Sequence, residues 1–136
     1  TQALRLMAEQ VNLSTAAVQR RIKRMEERGV IAGNVAVVDP TSVGRPITII
    51  VEVMAERTSL DALEAMKAHF AVPEVQQCYY VTGEVDFVLV LTVASMQEYQ
   101  ALARRQFAEN ANDKWFKTMV ALDRLKVGLE VPCLPE

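Results

Sequence analysis

Ser14, Thr15, Gln19, Arg20, Lys23 and Arg24 lie within eleven residues, at spacings that an α-helix gathers onto one side. Hydroxyl and cationic groups donate to phosphate oxygens, while an amide or a guanidinium also suits a base edge. That chemistry needs a helix to present it. Ser14 is placed to cap the N-terminus, and Gly29 stands where a glycine ends a helix. On the opposite side Val18, Ile22 and Met25 recur at helical spacing and form an apolar stripe; Arg21 lies nearer that stripe and reads as partly structural. Upstream, Leu4, Met7, Ala8 and Val11 make a second short amphipathic pattern, and Asn12-Leu13 is a tight turn between the two. Two helices joined in this way are a helix-turn-helix, whose second helix enters the major groove. A basic helical hairpin is also an ordinary solvated surface, so the helix pattern alone leaves both readings open.

Charge distribution favours the DNA reading. The 136 residues carry a formal charge of −2, yet residues 1–45 hold seven Lys/Arg against four Asp/Glu, and residues 46–136 hold eight against thirteen. Between Ser14 and Arg28 alone there are five cations and two anions. A cationic helix on an otherwise acidic chain argues for a local phosphate contact and against a general binder of nucleic acid or anionic membrane. A composition 51% hydrophobic and 24% charged describes a globular protein with ample core, with no apolar run long enough to span a bilayer and no signal peptide. Cys78 and Cys133 fit neither a zinc spacing nor a disulfide framework and read as free thiols of a cytoplasmic protein. His69 is the single histidine and reads as a helix-surface residue. One histidine, no nucleophile motif, no metal-ligand cluster and no phosphate-binding glycine loop leave an enzyme little to work with, and no cofactor is expected.

The remaining elements position these residues. Val30 to Val38, broken by Gly33 and Asn34, reads as a strand or wing; Asp39-Pro40 is a turn, and Thr41 to Pro46 a linker. The boundary is placed near Arg45, giving a DNA-binding domain over 1–45 and a second domain over 46–136. There the pattern predicts a strand at Ile47–Ala55 and a helix capped by Thr58 or Ser59 and running to Phe70. Strands follow at Val75–Val81 and Phe87–Val93. A helix opened by a Ser95/Glu98 capping box buries Tyr99, Leu102, Ala103 and Phe107, and Trp115–Val127 reads as the last strand. The order βαββαβ is that of a ferredoxin-like domain, so the whole is α+β with an N-terminal winged helix-turn-helix. Phe87 to Leu91 is apolar on both faces of its strand, and Ile47 to Val51 nearly so. Such strands want cover on both sides. A second copy related by a two-fold axis supplies it, and also suits two recognition helices on a palindromic operator; cover by the chain's own N-terminal strand or C-terminal tail is the alternative.

The chain resembles the Lrp/AsnC, or feast/famine, transcriptional regulators over essentially its whole length. Leu13-Ser14, Val18, Arg21-Ile22, Met25-Glu26 and Gly29-Val30-Ile31 match the family's recognition pattern, and Gly83-Glu84-Val85-Asp86 before an apolar strand matches its Gly-x-x-Asp signature. The resemblance implies a winged helix-turn-helix that binds double-stranded DNA, often upstream of the regulator's own gene. It also implies a C-terminal domain that responds to an amino acid, and dimers that commonly assemble into octamers. It further implies an effector site in which Gly83, Glu84 and Asp86 form a polar rim with Tyr80, Thr82 and Thr118 nearby, closed by a neighbouring dimer. Gly83 lets backbone approach a carboxylate, and Glu84 and Asp86 accept from an ammonium. Turns also use Gly and Asp for backbone reasons alone, which leaves a structural role open. Two departures stand out. The helix that normally precedes the one near Ala3 is missing, which reads as a shortened chain. Where many members carry Thr-x-Thr this chain has Phe116-Lys117-Thr118, a change that would shrink the pocket or alter its ligand. The rival function is a stand-alone amino-acid sensor or oligomerisation module without DNA binding.

Overall fold

The structure is a computed structural model and describes residues 14–132. The expected helix at Leu4–Val11, and Cys133, lie outside the described residues. The chain packs as two units that divide between Val37 and Val38.

In the first unit, helix α1 spans Thr15–Glu27. Ser14 caps it, its hydroxyl accepting from Ala17 N at 3.2 Å, which satisfies one N–H that the first turn cannot. Gly29, at φ 76°, ends it: Gly29 N donates to Glu26 O at 3.1 Å and Val30 N to Met25 O at 2.8 Å, the paired bonds of a Schellman stop. Of the expected stripe, Val18 is buried, Ile22 half-buried and Met25 exposed. Val30 to Val38, expected as a strand or wing, has no regular structure and is largely exposed. A strand needs a neighbour to take its backbone groups, and this segment has no ladder partner among the described residues.

The second unit has the element order expected of it. Strand β1 (Ile47–Ala55), helix α2 (Leu60–Phe70), strand β2 (Val75–Tyr80), strand β3 (Phe87–Val93), helix α3 (Met96–Ala103) and strand β4 (Asp113–Val120) follow in turn. The sheet order is β2-β3-β1-β4, antiparallel throughout, as in a ferredoxin-like domain. Ser59 caps α2. Ser95 caps α3 in a capping box whose return arm reaches one residue further back: Glu98 N donates to Ser95 Oγ at 3.1 Å, and Glu98 Oε2 accepts from Ala94 N at 2.8 Å. A π-helical turn, Arg104–Ala108, continues α3 and keeps Phe107 inward. Alternate residues of β1 and β3 (Ile49, Val51, Val53, Phe87, Leu89, Leu91, Val93) pack against Leu63, Met66 and Phe70 of α2 and Tyr99, Leu102 and Phe107 in one core.

Two expectations need correction here. The last strand ends at Val120, not Val127, because Ala121 N donates to Thr48 O as β1 runs out and, among the described residues, no further strand is there to pair with. Arg45 is bonded into the second unit, its Nε and Nη2 donating to Thr92 O at 3.0 and 2.8 Å and its Nη2 to Glu98 Oε1 at 2.7 Å. The linker before it holds a short 3-10 turn, Thr41–Val43, whose Thr41 N and Ser42 Oγ donate to the Asp39 carboxylate.

Candidate functional site

Two sets of residues carry the candidate chemistry, one in each unit. On α1, Thr15, Gln19, Arg20, Lys23 and Arg24 are all exposed. Among the described residues none of their side chains has a hydrogen-bond or salt-bridge partner, so the cations of this face are uncompensated there. Ser14 is committed to its cap, though a capping hydroxyl keeps a free donor. Arg21 is exposed as well, further from the core than its position beside the stripe implied.

In the second unit, the turn joining β2 to β3 gathers Tyr80, Thr82, Gly83, Glu84 and Asp86. Val81 N donates to Asp86 O at 2.9 Å to close the turn, and Gly83 sits at φ 115°, a conformation that a side chain disfavours. Thr82 and Glu84 are exposed. Asp86 is half-buried: its N–H donates to Val53 O at 2.9 Å and its Oδ2 accepts from Ala55 N at 2.7 Å, so one carboxylate oxygen splices the turn onto the end of β1. Tyr80 stacks its ring 5.4 Å from that of Phe87, with Lys67 Nζ 5.5 Å above it.

Thr118 does not join this set within one chain. Tyr80, Phe87, Val53 and Phe116 form one row across the sheet, and Thr118 lies on β4, the edge opposite β2. Three strand spacings separate the two edges by about 14 Å. The Thr118 hydroxyl instead bonds to that of Tyr99 on α3. Burial pushes the Tyr99 hydroxyl up from its ordinary range.

Sequence reasoning missed two polar residues beside this unit's core. Asn112 extends the β1–β4 edge by side chain, its Oδ1 accepting from Arg57 N at 2.7 Å and its Nδ2 donating to Arg57 O at 3.0 Å. Asp113 opposes Ala55 at a β-bulge with both carboxylate oxygens buried and unpartnered, and burial pushes its acid up to about 6. Neither is flagged by a motif; an Asn-Ala-Asn-Asp run reads only as a helix breaker. His69 is on the surface as expected, its Nε2 3.1 Å from Gln106 O. Among the described residues no group of three His, Cys, Asp or Glu could hold a metal ion, and no helix is long and apolar enough to cross a membrane.

A cleft of about 540 Å³ lies on the sheet face away from the helices, and one of about 270 Å³ lies against α2; none of the residues nominated for the effector lines either.

Residues 48–131 match the model of the Lrp/AsnC ligand binding domain, and residues 4–32 match that of a winged helix-turn-helix DNA-binding domain. An uncharacterized helix-turn-helix transcriptional regulator of Sinorhizobium fredii is 46% identical over 127 residues, covering 93% of this chain and 75% of its own. Among solved structures, an AsnC family regulator from Agrobacterium tumefaciens superposes with a TM-score of 0.82 at 32% identity, covering 92% of this chain and 82% of that one. A transcriptional regulator from Neisseria meningitidis, in complex with L-methionine, does so at 0.81 and 25%, covering 92% and 81%. The chain belongs to the Lrp/AsnC family of transcriptional regulators.

Proposed function

We propose that the chain is a sequence-specific regulator that reads a palindromic operator in double-stranded DNA with α1 and is tuned by a free amino acid bound to its second unit. The uncompensated face of α1 is the observation that carries the reading. Ser14 and Thr15 contact phosphate, Gln19 a base edge, and Arg20, Lys23 and Arg24 either. In the second unit the turn holding Thr82, Gly83 and Glu84 offers backbone and a carboxylate to a zwitterion, Tyr80 flanks it, and the oxygen of Asp86 not engaged by Ala55 faces the same task. Thr118 enters such a site only from another copy. L-Methionine in the Neisseria meningitidis relative supports the ligand class.

A two-fold dimer formed through the helix-free sheet face, assembling further to an octamer, in the cytoplasm, completes the proposal. That face presents Ile50, Met54, Val88, Val90, Trp115 and Met119, by the register of the three strands. The test is a thermal-shift screen against the standard amino acids with Asp86→Ala alongside, paired with selection of genomic DNA fragments by the parent chain. A ligand bound only by the folded state raises Tm with its concentration. Stabilisation of the parent and not the variant by one amino acid, and enrichment of one palindrome, is the expected result. No enriched sequence removes the operator reading, and an unchanged shift in Asp86→Ala removes Asp86 from the site.

A further inference from the structure

The turn between β2 and β3 carries two carboxylates, Glu84 and Asp86. A rim of that charge by itself favours a bare amine over an amino acid, whose own carboxylate it repels. Backbone N–H groups of the turn can bond a carboxylate but carry no net charge to offset two acids. A site for zwitterions is therefore completed by a cation. Lys67, in the last turn of α2, stands beside the strand that leads into this turn. Its Nζ lies 5.5 Å from the centroid of the Tyr80 ring, and Tyr80 ends β2 two residues before Thr82. The ring is placed in turn by Phe87, at a centroid distance of 5.4 Å, and Phe87 is fully buried. The platform beneath the ammonium is thus anchored in the core, and the ring face keeps the lysine extended toward the end of β2.

The ammonium is held there without being saturated. Glu64 Oε1, three residues back on the same helix, accepts from Nζ at 2.9 Å. An ammonium has three N–H donors, so two are not committed to Glu64. Both side chains of the pair are exposed, and an exposed pair at this spacing holds so weakly that an incoming carboxylate can take the place of Glu64. Tyr80 is exposed as well, so a ligand can reach ring and ammonium together. We infer that Lys67 makes the second unit selective for ligands with a free α-carboxylate. Nζ takes the carboxylate beside Tyr80, while Glu84 and the Asp86 oxygen not engaged by Ala55 take the ammonium. The inference rests on the effector reading proposed above and names the class that site accepts: zwitterions, over amines and amino-acid amides.

The experiment titrates the chain with L-methionine and with L-methioninamide by calorimetry, in mildly acidic buffer where both ligands carry an ammonium. The parent, Lys67→Gln and Lys67→Arg are compared. The parent is expected to bind the acid about tenfold more tightly than the amide. Lys67→Gln is expected to lose about tenfold for the acid and less than about twofold for the amide, and Lys67→Arg to recover most of the preference. Both variants change only an exposed side chain, so a loss of binding with an unchanged unliganded Tm is read at the site and not in the fold. A preference for the acid that survives Lys67→Gln removes Lys67 and leaves the effector reading standing. A parent that binds acid and amide alike overturns the inference, and a parent that binds neither overturns the effector reading with it.

Discussion

The two faces of the sheet are built from the same strands and finished differently. On the helix side Ile49, Val51, Val53, Phe87, Leu89, Leu91 and Val93 are all at 0% exposure, closed by α2 and α3 of the same chain. Their neighbours one residue along, Ile50, Val88 and Val90, are comparably apolar but only half-buried. The strand alternation that normally separates core from solvent here separates a core completed within the chain from one that is not. Stability on the first face is therefore a property of the single chain, and on the second, under the dimer proposed above, a property of concentration.

The largest effect lies on the finished face. Phe87→Ala removes a ring packed edge-on against Phe70 at 5.4 Å, at a fully buried position. It is expected to cost about 3–5 kcal/mol in urea unfolding, by the same amount at every protein concentration. Val90→Asp strikes the other face, with the opposite dependence: an unpaired carboxylate in the proposed interface costs about 2 kcal/mol of association and less in the isolated chain. The concentration dependence of Tm expected of the parent should vanish in this variant. If the parent's Tm is itself independent of concentration, the contrast between the faces fails.

Asp113 breaks the pattern on the finished unit, because its buried carboxylate has no partner. Its folded-state acid is raised from 3.8 to about 6, so the folded chain prefers the neutral form. The stability this contributes is fully present below pH 4 and lost as pH rises through 6. The shift corresponds to about 3 kcal/mol before solvent screening and about 1 after it, since the residue is only half-buried. Asp113→Asn is expected to exceed the parent in stability by about 1 kcal/mol at pH 7, with the gap closing below pH 4. A pH-independent gap would show that the carboxylate does not titrate in this range.

What the sequence disclosed follows the same division between local and assembled. β1, β3 and the caps Ser14, Ser59 and Ser95 were legible because alternation and capping are written in neighbouring residues. The end of β4 was not, because Trp115 to Val127 stays strand-like while the ladder depends on where β1 begins, at Ile47. The separation of Thr118 from the β2–β3 turn was hidden for a related reason: strand order places β2 and β4 on opposite edges, and no motif encodes that order. Arg45 read as linker because its partners, Thr92 and Glu98, lie 47 and 53 residues away. Of the candidate site, the residue types on α1 and in the turn were visible, whereas the engagement of Asp86 by Ala55 was not.

On α1 the same contrast recurs in miniature, with Val18 buried on one side and Lys23 exposed and, among the described residues, unpartnered on the other. Lys23 owes nothing to folding, so its removal should leave Tm unchanged and be read only in DNA binding. A lysine on phosphate displaces about one counterion, whatever the sequence beneath it. Lys23→Ala is therefore expected to lower affinity for specific and random duplexes by a similar factor, and to reduce the slope of log K against log salt by about 0.9. Gln19→Ala should differ in kind: with no charge to lose it leaves the slope alone, and it narrows the gap between operator and random DNA by relaxing one base preference. Anisotropy titrations of both variants at several salt concentrations separate the two roles. An unchanged slope for Lys23→Ala would take that residue off the phosphates and put the cationic face of α1 back among ordinary solvated surfaces.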